Sequence, residues 1–150
     1  MSFSGVGDIR AEETNPGVVY KGASTILAAN KYTDGLVIGR FARIASDGDL
    51  EVLDGSANPL IAGVVLRDLR GTLDADTYSK PLTQTVDYAR QGLVTVAAVA
   101  GQTADLFDAI RVDNTAGADI GKARSDATGV LANAEFIKVV ATNVWLIRLK

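Results

Sequence analysis

Apolar residues in this chain come in short runs, and each run is cut off by residues that turn the backbone. Residues 36–44 end with charge alternating against apolar side chains at Arg40, Phe41, Ala42, Arg43 and Ile44, as a half-buried strand requires. Ser46-Asp47-Gly48-Asp49 is a turn, because Asp-Gly tolerates positive φ. Residues 50–53 pair back as a short strand, and residues 54–59 form the next loop. Residues 60–66 are nearly all apolar, which predicts a central strand covered on both faces. Gly63 inside that run predicts a bulge or a close backbone approach.

The same grammar continues to the end. Residues 67–81 are polar and read as a long excursion. Alternation resumes at Val86, Asp87, Tyr88 and Arg90, Gln91-Gly92 breaks or kinks it, and residues 93–97 carry on. Residues 104–110 suit one helical turn, 110–113 a short strand and 114–117 a turn. Residues 134–140 and 144–150, joined by Ala141-Thr142-Asn143, have hairpin character. Trp145 in the last run is expected in the core, where large aromatics dominate burial. Residues 41–65 and 110–140 also echo one another: Phe41-Ala42-Arg43-Ile44 with Gly63-Val64-Val65 resembles Ile110-Arg111-Val112 with Lys138-Val139-Val140. Roughly eight or nine strands with turns every 8–12 residues predict an all-β fold, a β-sandwich or jelly-roll-like barrel.

Composition supports that class and narrows the chemistry. The length of 150 residues suits one domain. Asp outnumbers Glu, 14 to 4, and 15 Gly accompany them, which favours turns over helices. A net charge of −3 argues against nucleic acid as a partner, since phosphate contacts need a basic surface. With no His and no Cys, the chain has no disulfide, no thiolate or His/Cys zinc site, no Cys nucleophile and no Ser-His-Asp triad. The longest uncharged run, residues 91–104, is too short to span a membrane. The N-terminus has no basic segment followed by an apolar one, so a soluble protein made in the cytoplasm is expected, with no membrane partner.

Two constellations bear on metal or cofactor chemistry, and neither supports it. Asp47, Asp49, Glu51 and Asp54 have calcium-loop flavour, but the sixth position from Asp47 is Val52 and the twelfth is Asn58. Turn chemistry explains that cluster better. Gly5-Val6-Gly7 does not extend to a dinucleotide fingerprint, and no Gly-Lys-Ser/Thr loop is present. Carboxylate pairs alone nominate no catalytic site, so no enzyme, cofactor or metal is expected.

Two regions offer contact residues instead. Residues 1–17 hold Phe3, Val6 and Ile9 at a spacing of three, with Arg10 beside them, before Asn15-Pro16-Gly17 punctuates the chain. They read either as a frayed terminus or as an arm that orders against a partner, followed by a body over residues 18–150. Arg67, Asp68 and Arg70, with Arg40 and Arg43 earlier, form either a solvated rim or a docking patch for an acidic surface.

Several of these segments together carry a resemblance. The order Leu60-Ile61-Ala62-Gly63-Val64-Val65, then the run from Val86 through Gly92 to Val96, then Phe107-Asp108-Ala109-Ile110-Arg111-Val112, then Val144-Trp145-Leu146-Ile147-Arg148-Leu149 resembles the capsid cement, or decoration, proteins of tailed bacteriophages. The resemblance runs from about Val18 to the end. It implies a compact β body on the outer capsid surface of the virion. It also implies a homo-oligomer, trimer or dimer, at a capsid symmetry axis that bridges neighbouring major capsid protein subunits. An extended N-terminal arm would lie across the shell, with Phe3, Val6, Ile9 and Arg10 as its anchors and Arg67, Asp68 and Arg70 as polar contacts. The alternative is a receptor- or carbohydrate-binding β module of a virion fibre, which needs a cluster of exposed aromatics.

Overall fold

The structure, a computed structural model, describes residues 15–20, 24–29, 32–33, 35–67, 77–78 and 85–150. Among them every regular element is a strand, and none is a helix. The strands are β1 (Thr25–Ala29), β2 (Leu36–Val37), β3 (Phe41–Ile44), β4 (Leu50–Glu51), β5 (Ile61–Val65) and β6 (Thr77–Tyr78). They continue with β7 (Val86–Ala97), β8 (Ala109–Val112), β9 (Ala123–Arg124), β10 (Val130–Ala141) and β11 (Val144–Leu149). One antiparallel sheet runs β4-β3-β5-β7-β11-β10-β8-β9, with β1 also on β7, and curls into a half-barrel. β2 and β6 make a separate pair. The all-β expectation therefore holds, in a form consistent with a sandwich or barrel.

β7 organises the sheet. Its first half pairs with both β5 and β1, for example Ala89 with Val64 and with Ile26. Its second half pairs with β11 from Val144↔Ala97 to Leu149↔Gly92. That half also holds the incoming chain: Gly17 N donates to Thr95 O at 2.8 Å, Thr95 N to Val18 O at 2.9 Å, and Tyr20 N to Leu93 O at 2.9 Å. Thr95 is fully buried, and its hydroxyl donates to Asn15 O at 2.6 Å and accepts from Val18 N at 2.9 Å. The expected break at Gln91-Gly92 is thus a passage between two sets of partners inside one twelve-residue strand.

The core has two parts, and β5 separates them. Phe41, Val64, Val94, Val96, Ile110, Val112, Phe136, Trp145 and Ile147 form one cluster. Tyr32, Leu36, Ile38, Leu50, Val65, Val86 and Tyr88 form the other. Neighbouring residues Val64 and Val65 point to opposite clusters, as the near-continuous apolar run predicts for a strand covered on both faces. Trp145 is buried and meets Phe136 edge to face, ring centroids 5.2 Å apart, so it is the expected core aromatic.

Several local expectations are corrected. Residues 36–44 are two strands, because Gly39 sits at φ +79° with Pro16 against it and turns the chain between β2 and β3. Residues 104–110 make no helical turn: Asp108 N closes on Asp105 O at 2.9 Å, and Phe107 takes φ +69°. β10 begins at Val130, not at 134, and β1 and β9 carry no clear signal in the sequence. β3 pairs with β5, and β8 pairs with Val130, Leu131 and Glu135 of β10.

Gly63 shows why glycine stands in the central strand. Its φ is +155°, and a Cβ there would collide with the Ala89 carbonyl of β7. Gly63→Ala is expected to lose more than about 2 kcal/mol of stability, since strain and backbone displacement add. Gly48→Ala also sits at positive φ, but in open space, and should lose only about 1 kcal/mol. Equal losses for the two in urea unfolding would contradict this reading.

Candidate functional site

The sequence-predicted contact residues fall mostly outside the described residues. Phe3, Val6, Ile9, Arg10, Asp68 and Arg70 all lie there. Arg67 is half-buried just after β5, where its backbone N donates to Gly17 O at 2.9 Å. It therefore stands beside the segment that emerges from residues 1–14.

Arg40 and Arg43 are spent inside the molecule. Arg43 bonds Glu51 and, at 3.1 Å, Asp54. Asp47 accepts from Asp49 N at 3.0 Å, an Asx turn. The candidate calcium cluster is thereby resolved into a turn and an arginine clamp. Arg40 donates to Ala118 O at 2.7 Å and Ile120 O at 3.0 Å. Its pKa is lowered, by burial first, with Asp119 acting in the opposite direction.

A second polar network pins the loops around β8 and β9. Arg124 grips both oxygens of Asp126, at 2.9 and 2.7 Å, and reaches the buried Asp113 at 2.6 Å. Gln102 and Thr128 bond Asp126 as well, at 2.9 and 2.7 Å. Arg124 holds the Asp126 carboxyl well below the usual carboxylate range, with Thr128 adding to the effect. Asp119 is lowered by its bond to Lys122, and Asp54 by its bonds to Ser56. All three displaced carboxylates move away from neutrality, the direction opposite to what a general acid needs. These groups brace loops.

Several large apolar side chains also face outward. Leu106 and Phe107 are 58% and 57% exposed at the tip of the loop before β8. Asp108 bonds Asp105 N at 2.8 Å, and Phe107 N and Asp108 O both bond Phe136, so this tip is braced on both sides. Positive φ is uncommon for a bulky residue and costs about 1–3 kcal/mol. Phe107 is thus held in a strained, braced conformation with its side chain largely exposed. The sequence held one cue that was missed, two large apolar residues bracketed by Asp105 and Asp108. Leu131 and Val139 on β10 and Ile26 and Leu27 on β1 are also exposed. Of the other aromatics whose side chains are described, Tyr32, Phe41, Tyr88, Phe136 and Trp145 are buried, and Tyr20 is half-buried.

A cavity of about 250 Å³ lies between residues 35–41, Val52, Val65 and residues 117–120. Leu36, Phe41 and Val65 are buried at its floor, and Gly117 and Ala118 are exposed at its rim. Arg40 lines it.

The described polar networks generate a pH expectation. Asp126 has a lower pKa folded than unfolded, where it is about 3.9. Its bonds therefore stabilise the fold fully above that value, and the contribution is lost as pH falls through the folded pKa. The urea midpoint of Asp126→Asn should lie furthest below that of the unsubstituted protein at neutral pH, with the gap closing below about pH 4. A gap independent of pH would contradict it. Arg124→Met strands the buried Asp113 carboxylate and should cost about 3 kcal/mol in the same assay.

Comparison with known proteins identifies the family. A family model described as XM1 gp53 minor capsid protein matches residues 7–150. A chain in the solved structure "The capsid of Myoviridae Phage XM1" superposes with a TM-score of 0.85 at 28% identity, covering 91% of this chain and 89% of that one. No curated protein sequence matches.

Proposed function

This chain belongs to the XM1 gp53 minor capsid protein family, and from that premise we propose that it is a cement protein binding the outside of the shell and bridging major capsid protein subunits. Its role is structural and its place is the phage virion. The observation that carries the finer reading is the match along nearly the whole chain to a component of an assembled phage capsid.

The physical chemistry supports adhesion. The double-sided pairing of β7 makes a stiff body, and the described acids with displaced pKa values are committed to holding loops. Residues 1–14 precede a chain that is bonded to Thr95 from Asn15 onward. An arm starting from so fixed a base covers wide surface for its mass, and its contacts gain from effective concentration once the body is docked. Several copies joined as a homo-oligomer at a capsid symmetry axis multiply that gain. Synthesis in the host cytoplasm, before assembly on the shell, completes the reading.

Emptied shells provide the test. Adding the full chain should raise their thermal disruption temperature, and deleting residues 1–15 should lower occupancy at least tenfold at equal concentration. Undiminished occupancy would reject the arm, and unchanged shell stability at full occupancy would reject the cement role.

A further inference from the structure

We propose that residues 15–20 and β11 form a tension clamp: a pull on the chain ahead of Asn15 is carried in shear through β7 into β11, and the fold resists it. The clamp is a property of this chain alone. Its use, passing tension from a shell-bound arm into the body, rests on the cement reading above.

Two ladders share the second half of β7. On one edge Val19 faces Val94 in antiparallel sense, flanked by bonds from Gly17 N to Thr95 O and from Tyr20 N to Leu93 O. On the other edge β11 faces the same residues, Leu146 against Thr95, Ile147 against Val94 and Arg148 against Leu93, also antiparallel. A strand takes one partner per edge, so residues 17–20 and β11 lie on opposite sides of β7 and run parallel to each other. The consequence is directional. The chain enters at the Thr95 end of this three-strand block, and β11 runs out at its Gly92 end. A pull on Asn15 against Lys150 therefore drives the two outer strands apart lengthwise. Antiparallel ladder bonds lie perpendicular to the strands, so a lengthwise load falls on all of them together. A load across the strands opens them one after another.

The entry point is wedged as well as bonded. Thr95 is fully buried, and its hydroxyl donates to Asn15 O at 2.6 Å and accepts from Val18 N at 2.9 Å. Arg67 N ties Gly17 O to the end of β5 at 2.9 Å. Gly17 is buried at φ +80° with Ile38 and the Val65 carbonyl where a Cβ would stand, and Pro16 leaves no room for one at Gly39. Residues 16 and 17 thus sit between the β2–β3 turn and the end of β5, and they cannot slide past Thr95 without breaking these bonds together. At the far side, every residue of β11 except Arg148 is buried, and β10 holds its other edge.

Single-molecule force spectroscopy of the full chain tests this. The chain has no cysteine, so two introduced thiols define the pulling points. Asn15→Cys with Lys150→Cys loads the clamp lengthwise. Asn133→Cys with Lys150→Cys loads the β10–β11 ladder across its strands, from the end where Lys150 N bonds Asn133 O. All three positions are exposed, and Asn15 enters the clamp through its main-chain carbonyl. At equal loading rate the first pair should give way at roughly threefold the force of the second or more, since forced unfolding reads the barrier and only the first geometry loads whole ladders at once. Thr95→Val, which removes the hydroxyl, should lower the first force and leave the second unchanged, and Thr95→Ser, which keeps the hydroxyl, should hold it. Equal forces for the two pairs, or a Thr95→Val loss shared by both, overturn the clamp. Shell occupancy after deleting residues 1–15 reads the cement role separately: a high lengthwise force beside undiminished occupancy keeps the clamp and rejects its use by an arm.

Discussion

One strand, hydrogen-bonded along both edges, sets the rest of this molecule. β7 meets β5 and β1 over its first half and β11 and the incoming residues 17–20 over its second. Every sheet neighbour therefore inherits its position from β7. The approach is close enough that position 63 admits no side chain, and the buried Thr95 hydroxyl saturates the carbonyl and amide of the entering chain. Because both edges are occupied, β7 has little freedom to slide in register, and a slip by one residue would turn the faces of both cores outward.

A body held this way suits a partner role in a particle. The displaced carboxylates are held in their charged state by Arg124, Lys122 and Ser56. Further bonds tie Asp105 N to Asp108 in the loop before β8, and Arg40 to Ala118 O in the loop after it. Preformed surfaces convert more of their contact energy into affinity, because little freedom is left to lose.

The parts legible in the sequence were those where one residue type has one physical use. The run over β5 announced a strand buried on both faces, Gly63 announced the close approach, and the Asp47-Gly48 turn and the final hairpin formed as read. The misreadings came where tertiary contacts decide. Gly39 turns because Pro16, distant in sequence, lies against it. Residues 104–107 look locally helical, yet the bond from Phe107 N to Phe136 O pulls them into a turn. β1 is exposed along nearly its whole length and shows no alternation, so only its partner β7 makes it a strand. At the candidate surface, Arg40 and Arg43 looked available for partners, and only the fold shows them bonded internally.

The central claim, that this body works by adhesion across subunits of a shell, is tested most directly by imaging emptied phage shells saturated with the protein by electron cryomicroscopy. The account predicts density for the β body on the outer face, each copy touching more than one major capsid subunit. Density confined to the inner face, or resting on a single subunit with no bridge, would contradict it.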